Sequence, residues 1–269
     1  MEALTFFENI APEIEEKLKI IPAGVDIDLF NILGNSKQDS IERLKSVMKE
    51  RVKLLPNGKT IEQKGEFLSE LEQTYSVADV DKLVSIYNEK YEQGHPDQDI
   101  VEMLDRIDWE RDRVVLFVGK YLWTKGIQLV IGALPFILKY IPNLHLLLVG
   151  FGSYREELEA LVYSIDTGRR ELFSYLMEKS LKQTNSGDSS GSLSSTQVIR
   201  IAKPLKFLDA LAKRKKVKEY FEVASDRKLS KNVHFMGALS HDDLSHLLPC
   251  ADGLVAASTF PEAFGNGID

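Results

Sequence analysis

Gly119-Lys120-Tyr121-Leu122-Trp123-Thr124-Lys125-Gly126 sets two ammonium groups in one glycine-bounded loop, a pattern suited to a diphosphate and equally to two solvated loop lysines. Each charge-assisted hydrogen bond from such a cation to a phosphate oxygen is worth roughly 1.5–3 kcal/mol. The same charges would offset the charge that develops on a departing phosphate. Far along the chain, Ser258-Thr259-Phe260-Pro261-Glu262-Ala263-Phe264-Gly265-Asn266-Gly267 combines an acid with a glycine-rich turn. The Glu262 carboxylate can accept hydrogen bonds from sugar hydroxyls, and main-chain N–H groups at Phe264, Gly265 and Asn266 would face a phosphate if a helix started there.

Those residues need a sheet to bring them together. Val114-Val115-Leu116-Phe117-Val118 is a continuous apolar run closed by Gly119, as expected of a strand covered on both faces. From Ile127, apolar residues recur at three- and four-residue steps as far as Ile141, so a helix is expected, stopped by Pro142 and kinked at Pro135. Leu144 to Val149 reads as a second buried strand, followed by Gly150-Phe151-Gly152 and by Ser153 with Glu156, a capping-box pair expected to open a helix running to about Ile165. Val233 to Met236, a helix after Ser240 with Asp243 in the capping position, and Gly253 to Ala257 continue the rhythm. Strands alternating with helices predict an α/β fold with a Rossmann-like parallel sheet.

Two stretches interrupt that rhythm. Residues 31–110 carry helical periodicity (Ile41, Leu44, Met48; Phe67, Leu71) and no convincing strand, so they read as a helical insertion. Residues 166–232 form a second insertion, with a Ser/Gly-rich tract from Thr184 to Thr196 and the basic run Lys213-Arg214-Lys215-Lys216 on an expected helix. A solvated face is the favoured reading of that run, and weak contact with an anionic membrane surface is the alternative.

Composition narrows the classes. The 269 residues are 43% apolar, enough for a real core, and the formal charge of −7 argues against nonspecific nucleic-acid binding. A single cysteine, Cys250, fits a reducing compartment, and the first residues lack the order of a signal peptide, so a cytoplasmic protein is expected. Gly150-Phe151-Gly152 has Arg155 where a dinucleotide fingerprint has its third glycine, so it reads as a turn whose glycines would still admit a diphosphate or sugar. His234, His241, His246 and Cys250 lack the spacing of a zinc site, and Asp26 with Asp28 reads as turn chemistry, so no metal is expected. Trp123 suits stacking on a sugar or base and anchoring of the loop equally.

Several of these segments together resemble the nucleotide-sugar-binding half of retaining GT-B glycosyltransferases, the group with a Glu, seven-residue, Glu motif. Ile21 to Phe30 looks like the crossover from the acceptor domain, Phe117 through Gly126 like the diphosphate loop, Val233 to Leu239 like the loop beside the nucleobase, and Pro261 to Gly265 like the first half of the acidic motif. The resemblance implies a fold of half the GT-B type with helical insertions. Residues 1–30 would be a remnant of an N-terminal domain with the crossover, 31–110 an insertion, and 111–269 a Rossmann-like domain, incomplete at its C-terminus and interrupted at 166–232.

It also implies roles. Lys120 and Lys125 would hold the donor diphosphate with Phe264, Gly265 and Asn266, and Glu262 would bind the transferred hexose. Gly119, Gly150, Gly152, Met236 and Gly237 would be further donor contacts. The second glutamate would fall at position 270, one past the last residue, and the N-terminal half that carries the acceptor site would be missing. No general base, acceptor or cofactor is therefore assigned; the nucleotide-diphosphate sugar is a substrate. The alternatives are a non-catalytic nucleotide-sugar-binding or regulatory module and a nucleotide-sugar epimerase of related architecture.

Overall fold

A computed structural model describes residues 36–74, 76–182 and 210–258. Among these residues four helices come first: α1 Lys37–Leu54, α2 Ile61–Glu72, α3 Val77–Asn88 and α4 Ile100–Asp105. The alternating part follows as β1 Arg113–Val118, α5 Ile127–Tyr140, β2 Leu144–Val149, α6 Arg155–Asp166, α7 Arg170–Lys182, α8 Val217–Arg227, β3 Val233–Gly237, α9 His241–Leu247 and β4 Gly253–Leu254.

The four strands among the described residues are parallel, in the order β3-β2-β1-β4. The chain therefore moves outward from β1 through β2 to β3 and then returns to the other side of β1. This reversal places a topological switch point between β1 and β4, where open α/β sheets form a crevice beyond their carboxyl ends.

Side chains alternate across the strands, so β1, β2 and β3 each feed two cores. Phe117, Leu146, Leu148, Val233 and Phe235 pack with α2, α3, α5, α6, α7 and α8. Leu116, Leu147, Val149 and Met236 pack with α1, α4 and α9. Both faces are covered, which explains why β1 and β2 read as unbroken apolar runs. The helices of 37–105 cover both faces of the sheet: α2 and α3 lie on one and α1 and α4 on the other.

Three local expectations are corrected. Ser153 and Glu156 do not form a capping box: Tyr154 is the N-cap of α6 without a side-chain bond, and Glu156 turns inward to Lys59. The basic run does not lie on one helix, because Arg214 and Lys215 make the turn before α8, with Lys215 at φ 54°. The fourth strand is two residues long, although the Val255 N–H still donates to the Leu116 carbonyl, and Leu254 is 58% exposed. By contrast, Ser240 and Asp243 cap α9 reciprocally as expected.

Candidate functional site

The loop after β1 occupies the switch point. Tyr121 turns inward, fully buried, and its hydroxyl donates to the Leu148 carbonyl at 2.6 Å while its N–H donates to Phe151 O at 2.7 Å. Lys120 on one side of this anchor is exposed, and Lys125 on the other is half-buried at the end of a 3-10 turn, Trp123–Lys125. Trp123 packs against the core and its carbonyl accepts from Gln128 Nε2 at 2.9 Å, so it anchors the loop. Gln128 is buried in the first turn of α5, and its Oε1 has no partner among the described residues.

On its other flank the loop meets the segment leaving β4. Gly126 has φ 70°, and a Cβ there would lie 2.0 Å from the Ala257 carbonyl oxygen. Ser258 Oγ donates to the Thr124 carbonyl at 3.2 Å. The lysine loop and the chain that leads toward Glu262 are thus in direct contact. Glu262, Phe264, Gly265 and Asn266, like the crossover at Ile21 to Phe30, lie outside the described residues.

The glycines beside the loop are approached by the protein's own backbone. A Cβ on Gly150, whose φ is 146°, would sit 1.8 Å from Gly119 O, and one on Gly152 would sit 2.5 Å from Tyr121 O. Met236 is buried with its carbonyl accepting from Asp97 N–H at 3.0 Å, and Gly237 lies beneath His95 and Asp97. Gly119, Gly150 and Gly152 therefore surround the lysine loop, whereas Met236 and Gly237 are covered by residues 95–97.

Beside β2 and β3 lies a buried ionic network that the sequence reading did not find. Arg155, the first residue of α6, donates to both carboxylate oxygens of Asp97 at 2.6 Å and to Glu159 at 2.9 Å. Lys59 donates to Glu156 at 2.9 Å and Glu159 at 2.7 Å, and Lys64 pairs with Asp97 and Asp99. Burial acts to raise the Asp97 pKa, but Arg155 and Lys64 outweigh it and hold it down to about 2. Burial also dominates at Glu156, where Lys59 only partly offsets it, and the pKa is raised. The partners are up to 100 residues apart, so the network fastens α2 and the 95–99 segment to the start of α6.

A second arrangement missed from sequence joins Asp112, His145 and His234. His145 Nε2 lies 3.2 Å from Asp112 Oδ2, and His145 Nδ1 lies 2.9 Å from His234 Nε2. The ring centroids are 5.1 Å apart and the planes 26° from parallel. Burial lowers the pKa of His145, and burial followed by the neighbouring His145 pushes His234 down to about 3, so both imidazoles are neutral at pH 7. His234 also lines a cleft of about 230 Å³ along the outer side of β3. His234, His241, His246 and Cys250 do not converge: Cys250 is buried with its one S–H shared between the Lys37 and His246 carbonyls, and burial raises its thiol pKa to about 11. Among the described residues no group of three or more His, Cys, Asp or Glu side chains could hold a metal ion, and no helix is long and apolar enough to cross a membrane.

No protein-family model, curated protein or solved structure matches the chain.

Proposed function

We propose that the chain is the donor-binding half of a retaining glycosyltransferase, holding a nucleotide-activated hexose at the crevice between β1 and β4. The observation that carries this reading is the contact of Thr124 and Gly126 with Ala257 and Ser258. It draws the chain bearing the candidate acid to the loop bearing the candidate cations. Glu262 follows Ser258 by four residues, a span of at most about 14 Å of extended chain.

In this reading Lys120 and Lys125 neutralise the diphosphate in the bound donor. Their contribution grows as the glycosidic carbon–oxygen bond breaks and negative charge moves onto the leaving diphosphate. The fixed backbone of the loop, held by Tyr121 on one flank and Ser258 on the other, keeps the cations in place before the donor arrives. Glu262 accepts hydrogen bonds from hexose hydroxyls and so orients the ring. Main-chain N–H groups at Phe264, Gly265 and Asn266 add uncharged donors to the phosphates.

Release of nucleoside diphosphate from uridine, adenosine and guanosine diphosphate sugars tests the assignment. Release that disappears in Glu262→Ala supports transfer chemistry. Saturable binding with no release in either protein assigns a non-catalytic nucleotide-sugar-binding module instead, and an inverted sugar centre in recovered donor assigns an epimerase. Absence of both binding and release overturns the reading.

A further inference from the structure

The cleft beside β3 is a separate site. It lies outside β3, the edge strand of the sheet among the described residues, and it is walled by Leu68, Met103, Val162 and Phe235. Its volume of about 230 Å³ falls below the roughly 300–1,000 Å³ typical of sites for drug-sized ligands, so a nucleotide sugar does not fit.

Most charged groups on its wall are already committed. Lys64 is held by Asp97 and Asp99, Glu159 by Lys59 and Arg155, and Asp166 accepts from the Leu229 and Ser230 N–H groups. Two groups on the wall are not. Arg106 is exposed on the wall and has no ion-pair or hydrogen-bond partner for its side chain among the described residues.

The second is His234, and the geometry fixes its proton. The Asp112 carboxylate only accepts, so His145 must present Nε2–H to it, which leaves His145 Nδ1 as a lone pair. His234 must then donate from Nε2 to His145 Nδ1, and its own Nδ1 is left as an acceptor. That nitrogen bonds to no described residue, and His234 lines the cleft.

We propose that this cleft binds a small hydroxy acid with an apolar body, its carboxylate on Arg106 and its hydroxyl donating to His234 Nδ1. The cation selects the anionic end, the forced acceptor selects a donor rather than an ether or ketone oxygen, and the apolar walls take the body.

3-Phenyllactate is a suitable probe, with 3-phenylpropanoate lacking the hydroxyl and 3-phenyllactamide lacking the charge. Ligand-observed NMR should show saturable binding of phenyllactate, at least threefold weaker binding of each analogue, and at least a tenfold loss in Arg106→Gln. Because Arg106 is exposed, that variant should keep the wild-type fold. Nitrogen-15 shifts of the imidazoles provide a check that needs no variant: the His234 proton is expected on Nε2. A proton on Nδ1, no saturable binding of phenyllactate at millimolar concentration, or equal affinity in Arg106→Gln would overturn the proposal.

Discussion

Arg155 and Asp97 face each other through two hydrogen bonds of 2.6 Å, with both side chains buried at the carboxyl end of β2 and β3. Removing one partner leaves an uncompensated buried charge, which costs about 3–5 kcal/mol, whereas replacing both with apolar groups is often close to neutral. Asp97→Ala is therefore expected to lower the unfolding free energy by about 3–5 kcal/mol. The pair Asp97→Leu with Arg155→Leu should lose less than Asp97→Ala alone. Urea unfolding of the three proteins checks both, and an Asp97→Ala midpoint equal to wild type would show that the pair contributes nothing.

Gly126 joins the lysine loop to the segment leaving β4. Its φ of 70° and the Ala257 oxygen 2.0 Å from a would-be Cβ leave no room for a side chain. Gly126→Ala is expected to cost more than about 1 kcal/mol, through the left-handed conformation and the displaced neighbour together. Thermal unfolding reads this loss. The control is Gly65→Ala in α2, where no atom lies within 4 Å of the added methyl and helix propensity favours alanine.

His234 makes the stability depend on pH. Its pKa falls from an ordinary 6.5 to about 3 in the folded protein, so between these values the unfolded chain takes up a proton that the native one refuses. The stabilisation is complete above about pH 6.5 and is lost as the pH falls toward 3, with a limiting slope of about 1.4 kcal/mol per pH unit. The groups that depress the His234 pKa are His145, Arg106 and Lys64, with Asp112 beyond His145, and Asp99, Glu159 and Asp166 line the same cleft. Glu156 and Glu157, whose pKa values burial raises, act in the opposite direction as pH increases, so the comparison must be with His234→Phe. The variant should show a shallower decline between pH 6 and pH 4 in denaturant titrations; parallel curves would remove His234 from the account.

Much of the sheet is legible from local sequence. β1 and β2 are apolar runs because helices cover both faces, and α5 ends where Pro142 removes the possibility of continuing. The Ser240–Asp243 cap is likewise written in adjacent residues. Glu156 stands in an equivalent position relative to Ser153, yet its strongest partner, Lys59, is 97 residues away, and no local pattern records that competition. His145 and His234 meet because β2 and β3 pair in a register that puts both on one face, a fact created by the sheet and not by either segment. The lysine loop could be placed at a strand end from sequence, but its contact with Ser258 depends on β4 pairing beside β1.

The grip of the lysine loop on an activated sugar is the central claim, and calorimetric titration with uridine, adenosine and guanosine diphosphate sugars tests it most directly. At least one donor should bind the wild-type chain saturably, and Lys125→Ala should bind it at least tenfold more weakly, while Lys218→Ala, on the exposed side of α8, should leave the affinity unchanged. Equal affinity of the wild-type and Lys125→Ala proteins for every donor that binds would contradict the account.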